Sequence, residues 1–198
     1  MNQRKLIHSK KHKNNNILWL VLVGAGLILL STAFMISNFN NGNLSSFPTS
    51  SDQYSTIPYE VHFPAPSLTL INISSENVSL NQFLGEIILV NNWATWCPPC
   101  KAEMPTLQAY FQKYKDDGFM IIAIESGESL EEVTEFVSDI GITFPVWIDR
   151  KGEALAAFKN RDLPSSYVID RNGVVRLTWT GEISFEMLEK FVTPLIKN

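Results

Sequence analysis

Apolar and polar positions fall into three regimes along the chain. From Ile17 to Ile36 the sequence ILWLVLVGAGLILLSTAFMI carries no charge. As a helix this run measures about 30 Å, the thickness of a bilayer core, and is predicted to span a membrane. Residues 37–60 are rich in Asn, Ser and Gly and poor in large apolar side chains, which predicts a flexible tether. From residue 61 onward apolar residues recur at the periods of strands and helices, which predicts one folded domain over 61–198.

Within that domain Leu68, Leu70 and Ile73 alternate with polar residues, a strand pattern, and Val78–Leu80 is its candidate hairpin partner. Ile87–Val90 is a continuous apolar run after Gly85, as in a strand buried on both faces. Beyond Pro98 the period becomes helical. Met104, Leu107, Phe111 and Tyr114 share one face, and Asp117-Gly118 closes the segment. Phe119–Ile124 is a second buried strand. Ser129 and Glu132 form a capping box ahead of Val133, Phe136, Val137 and Ile140, and Gly141 stops that helix. Val146–Ile148 is a third strand, and Ala154–Phe158 a short helix. Tyr167–Ile169 and Val174–Trp179 flank Asp170-Arg171-Asn172-Gly173, a hairpin signal. A last helix is predicted from Ser184, with Phe185, Leu188, Phe191, Val192 and Leu195 inward. Alternating elements followed by a terminal hairpin predict an α/β fold, with a mixed sheet covered by helices on both faces.

Charge divides the chain in the same place. Residues 1–16 carry Arg4, Lys5, Lys10, Lys11 and Lys13 and no acid. The whole chain has a formal charge of −4, so 11 basic and 20 acidic residues remain beyond that segment, a charge of −9. Such a body has no footprint for nucleic acid. A basic cluster before the apolar run predicts a cytoplasmic N-terminus and an extracytoplasmic domain. Ser31-Thr32-Ala33 offers an alternative, a cleaved signal peptide, against which stands the continuation of the apolar run through Phe34, Met35 and Ile36. In either case the domain is exported.

The only two cysteines, Cys97 and Cys100, lie in NNWATWCPPCKAEMP. As a structural staple the pair closes a very short loop and has little entropic leverage. As half of a zinc site it needs two further ligands, and the domain offers no other cysteine and a single histidine, His62. As a redox couple it stands at a strand-to-helix junction, where Pro98 suits the first turn and the helix N-terminus favours a thiolate. Trp93 and Trp96 are expected to rim the pair. The other two tryptophans of the domain, Trp147 and Trp179, read as core and His62 as surface.

This stretch resembles the active-site motif of the thioredoxin superfamily, and in particular its TlpA/ResA-like membrane-anchored branch. The resemblance extends from about Pro64 to Lys197 and includes FPAPSLTLINISSENVSLNQFLGEIILVNNWATWCPPC and FPVWIDRKGEALAAFKNRDLPSSYVIDRNGVV. It implies a thioredoxin-like fold with an N-terminal β-hairpin. It also implies that Cys97 attacks, that Cys100 resolves, and that Pro164 is a cis-proline. Leu163 and Pro164, with Trp96, would meet the client backbone. Glu103 matches an acid that the branch carries after C-x-x-C-x-x, where it would take or return a proton, the alternative being a solvated first-turn glutamate. Asn91 stands where cytosolic thioredoxins have a buried aspartate. Two departures stand out: the charged turn Lys159-Asn160-Arg161-Asp162, which would border the client groove, and Ser165-Ser166 where threonines are common, a mild change.

The implied function is reduction of client disulfides, apocytochrome c cysteines among them, by a monomer fed by a membrane thiol–disulfide electron donor and needing no cofactor. An oxidase or isomerase role is the alternative within this class. Outside it stands a thiol peroxidase, which needs a threonine three residues before the reactive cysteine, where this chain has Ala94. A copper-binding module would need a distal histidine that the chain lacks.

Overall fold

The computed structural model describes residues 55–198. The basic segment 1–16, the expected anchor 17–36 and the tether as far as residue 54 lie outside the described residues. Eight strands form one sheet: β1 (Tyr59–Pro64), β2 (Thr69–Asn72), β3 (Asn77–Ser79), β4 (Ile87–Trp93), β5 (Phe119–Ser126), β6 (Val146–Asp149), β7 (Ser165–Ile169) and β8 (Val174–Thr180), in the order β1-β8-β7-β4-β5-β6-β2-β3. The helices are α1 (Pro98–Tyr114), α2 (Leu130–Ile140), α3 (Glu153–Ala157), α4 (Phe185–Phe191) and α5 (Thr193–Lys197). The sheet is mixed. β4, β5 and β6 run parallel, and β7 lies antiparallel to both β4 and β8. The N-terminal hairpin β2–β3 docks on β6. This is the thioredoxin-like architecture.

Alternation along the central strands sorts side chains to two layers. Ile87, Leu89, Phe119, Ile121 and Ala123 face α1, α2 and α4 in the larger apolar cluster. Ile88, Val90, Ile122, Ile124 and Trp147 point the other way, under Ala154, Phe158 and Leu80. Both faces are therefore covered, the second by shorter pieces. Every residue of β4 is buried. Met104, Leu107, Phe111 and Tyr114 of α1 are buried together as their spacing predicts. The Ser129–Glu132 capping box forms, and Gly141 ends α2 in the left-handed region. In the β7–β8 hairpin Gly173 adopts φ +79°, and the Asp170 carboxylate accepts the Asn172 and Val174 amides at 3.0 Å each.

Three expectations need correction. The fold begins at β1, two residues before the boundary drawn at 61, and the Thr180 amide reaches back to the Ser55 carbonyl at 2.8 Å. β1 is an edge strand with no fully buried residue, so its sequence carries no apolar alternation to read. His62 sits exposed in β1, a surface residue as expected. The C-terminal helix is broken into α4 and α5, because Pro194 enters the first turn of α5 and has no amide to continue α4. Leu188, Val192 and Ile196 still form one buried stripe across the break. Lastly, Trp93 does not rim the cysteines. It is fully buried and packs on Phe136 with ring centroids 5.3 Å apart.

Leu107 of α1 is fully buried in the apolar cluster shared with the sheet. Leu107→Ala is expected to cost about 2–5 kcal/mol of stability. Urea denaturation followed by tryptophan fluorescence measures it, and a loss under ~1 kcal/mol would contradict this packing.

Candidate active site

Cys97 is the N-cap of α1. Pro98 and Pro99 occupy the first two helical positions and carry no N–H, so the amide of Cys100 is the first that the helix can offer. That amide donates to Cys97 Sγ at 3.3 Å. The Cys97 amide itself donates to the Ala94 carbonyl at 3.2 Å, closing a turn over Ala94–Cys97. Cys97 and Cys100 are joined in a disulfide with Cα atoms 5.3 Å apart. Cys100 has no exposure and Cys97 retains 4%, so solvent reaches the pair only at Cys97. Trp96, 64% exposed, stands beside it as the one tryptophan of the motif open to a partner.

Glu103, one turn beyond Cys100, is fully buried and is not the solvated glutamate of the alternative reading. Its Oε1 accepts from Asn91 Nδ2 at 2.8 Å and its Oε2 from the Ile183 amide at 3.3 Å. Burial outweighs these two bonds and pushes its pKa up to about 8. Asn91 also donates to Ser166 Oγ at 3.0 Å, while its own Oδ1 has no partner. An amide in this place serves either state of the acid. Its N–H₂ meets an ionised Glu103, and after a turn of the amide its oxygen accepts from a protonated one. An aspartate there would add a like charge and could not.

The Leu163–Pro164 peptide is cis. The Pro164 carbonyl accepts the Gly181 amide at 2.8 Å. In the β4–β7 register Ser165 pairs with Asn92, so Pro164 falls opposite Trp93, at the end of β4 that leads into the cysteine turn. Leu163 packs on the same apolar cluster that contains both cysteines. Ser165 and Ser166 accept from Asn92 and Asn91, which explains small hydroxyls there. In the charged turn before Leu163, Lys159 adopts φ 56°, and Asn160 Nδ2 ties the turn to Thr180 Oγ1 at 3.1 Å.

The structure thus gathers Cys97, Cys100, Glu103, Trp96, Leu163 and Pro164 at one end of β4. Sequence reasoning missed Ser166 and the Ile183 amide, which complete the Glu103 network. It also missed Glu128, which reaches the cysteine turn from the loop after β5, and Glu125 of β5, which holds Glu128. Glu125 carried a readable signal, an acid following the apolar strand Phe119–Ile124 on the inward face shared with Ala123. Among the described residues no group of acids, histidines and cysteines is placed to hold a metal ion.

A C-x-x-C disulfide at a helix N-terminus, set in this sheet against a cis-proline, defines a thioredoxin-fold thiol–disulfide oxidoreductase. Residues 61–178 match the AhpC/TSA family. The chain is 35% identical over 133 residues to the thiol-disulfide oxidoreductase ResA of Bacillus thuringiensis subsp. konkukian, covering 67% of this chain and 77% of that protein. Against ResA of Geobacillus kaustophilus it is 35% identical over 126 residues, or 64% and 72% of the two chains. It superposes on a crystal structure of a thiol:disulfide interchange protein of the thioredoxin family from Chlorobium tepidum. There the TM-score is 0.63 at 28% identity, over 69% of this chain and 97% of that one. The chain belongs to the ResA-like thiol–disulfide oxidoreductases of the thioredoxin superfamily, and is an oxidoreductase enzyme.

The raised pKa of Glu103 sets a sign for stability. The folded chain keeps this proton up to about pH 8, whereas the unfolded chain releases it near the ordinary 4.5. Stability therefore falls as pH rises between those limits, by up to ~1.4 kcal/mol per pH unit for one proton. Glu103→Gln is expected to flatten that slope by about one proton, read from urea midpoints between pH 5 and 8. An unchanged slope would show that Glu103 is ionised in the fold.

Proposed function

We propose that this chain is a membrane-tethered, extracytoplasmic reductant of protein disulfides. The observation that carries the reading is the Cys97–Cys100 couple at the α1 N-terminus with the buried acid Glu103 one turn behind it. In the reduced enzyme the Cys97 thiolate, favoured by the helix N-terminus and the Cys100 amide, attacks one sulfur of a client disulfide. The client S–S bond breaks, a Cys97–client disulfide forms, and the departing client thiolate takes up a proton. Glu103, neutral until then, gives its own proton by way of solvent to that departing thiolate, and as a carboxylate accepts the Cys100 proton. Cys100 attacks Cys97 Sγ, the second client sulfur leaves and is protonated, and the enzyme disulfide closes. The client gains two electrons and two protons, and a membrane thiol–disulfide donor must return them to Cys97 and Cys100. Trp96 gives the client an apolar platform, and the backbone at Leu163-Pro164 gives it an extended edge to pair with. The chain acts as a monomer and without a cofactor.

The uncharged run 17–36, preceded by five basic residues, supports a single anchor with the N-terminus in the cytoplasm. An oxidising compartment outside the membrane explains why a reductant would need a dedicated donor. Resemblance to the ResA-like branch points to apocytochrome c cysteines as clients. Ala94 has no hydroxyl for a peroxidatic cysteine, which sets the peroxidase reading aside.

Two measurements test the proposal. Cys100→Ser should leave mixed disulfides between Cys97 and exported thiol proteins, recovered from membranes and released by dithiothreitol. An empty trap would reject the client reaction. The Cys97–Cys100 potential is expected below about −200 mV, and a value well above it would assign oxidase or isomerase instead.

A further inference from the structure

Glu125, the penultimate residue of β5, has its side chain on the α1 face and is fully buried. Both of its oxygens accept the Glu128 amide, at 3.2 and 3.3 Å, which holds Glu128 directly against the Glu125 carboxyl group. Glu128 in turn holds the cysteine turn. One of its oxygens accepts the Thr95 amide at 2.9 Å and the other accepts the Thr95 hydroxyl. Thr95 lies inside the Ala94–Cys97 turn, two residues before the N-cap cysteine. A chain of contacts therefore runs from a buried acid, through a second acid, to the segment that sets where Cys97 Sγ stands.

The groups around Glu125 are acidic. Asp149 at the end of β6 adds its charge, although its own carboxylate is occupied by the Glu153 and Ala154 amides at 2.9 and 2.8 Å. β4 presents Trp93 beside it in register. α2 opens with Glu131 and Glu132, the latter bonded to Ser129. Among the described residues no ion pair reaches Glu125 or Glu128. Two neighbouring carboxylates without a cation, one of them buried, cannot both be ionised cheaply, and the buried one is the one that retains its proton.

We propose that buried Glu125 carries a proton, and that in this state it clamps the Thr95 turn through Glu128 and so positions Cys97. With the proton on Glu125, Glu128 keeps its oxygens for Thr95. When the proton is lost, repulsion drives the partly exposed Glu128 away from buried Glu125, and Thr95 loses both of its acceptors. The turn ahead of Cys97 then loosens. Burial together with Glu128 pushes the Glu125 pKa up to about 8, so the clamp opens just above neutral pH. Glu125 and Glu128 are positioning residues, since neither touches the sulfurs. Their effect on thiol chemistry rests on Cys97 being the attacking cysteine.

The test reads the turn itself. The full chain, 15N-labelled at threonine and reduced, is held in detergent micelles and titrated from pH 5 to 9.5, with the Thr95 amide assigned through Thr95→Ser. The Thr95 amide shift is expected to titrate near pH 8, to lose that inflection in Glu125→Gln, and to keep it in Glu103→Gln. A flat wild-type profile, or an inflection that survives in Glu125→Gln, overturns the proposal. If Glu125→Gln does not fold, Glu128→Gln is read in its place, and loss or survival of the inflection decides in the same way. As a second readout, iodoacetamide alkylation of Cys97 in a Cys100→Ser background should show a pH step of about fivefold that Glu125→Gln removes. A step that persists in that variant counts against the link to Cys97, whereas the amide titration stands or falls without reference to disulfide exchange.

Discussion

The site depends on β4 being held on both sides. It is seven residues long and wholly buried, with β5 parallel on one edge and β7 antiparallel on the other. Neither edge nor face is free, so its C-terminal end is fixed in space, and the chain must leave it through a short turn into α1. Each neighbour delivers part of the chemistry to that same end. β7 starts one residue after the cis-proline, β5 carries Glu125 next to its last residue, and α1 starts at the disulfide. The cysteines are placed by strand register as much as by their own motif.

Two prolines between the cysteines act through the donors they remove. A helix normally presents several free amides at its start. Here Pro98 and Pro99 present none, and the Cys100 amide is directed at Cys97 Sγ. The local positive potential is thereby concentrated on the sulfur that solvent can reach. Glu103 is held behind it by Asn91 and by the Ile183 amide, groups distant in sequence that only the completed sheet and the approach to α4 bring together.

Much of this was legible because the relevant residues sit in strongly patterned segments. The apolar runs of β4, β5 and β6, the α2 capping box and the Asp170–Gly173 turn follow from short-range rules, and the cysteine motif marks the strand-to-helix junction. What escaped has a common physical origin. β1 is an exposed edge strand, so nothing in its sequence needs to alternate. Trp93 was placed on the rim because a motif does not say which way an individual side chain points. Its register opposite Glu125 and its packing on Phe136 decide that. The Glu125–Glu128–Thr95 chain joins residues more than thirty positions apart, and only strand pairing brings them into contact.

The electrostatics of the site have a single sign. Glu103 and Glu125 are both buried without a cation, and the four ion pairs among the described residues all lie elsewhere. Both acids escape the cost of burial by keeping a proton, not by pairing. A reduced Cys97 would place its thiolate close to this group, with only the helix N-terminus to stabilise it. In the proposed mechanism the three groups are therefore linked: ionising either acid makes the thiolate harder to form, and forming the thiolate raises both acids further. That constraint fits a reaction in which Cys97 gives up its charge to the mixed disulfide before Glu103 takes on one of its own.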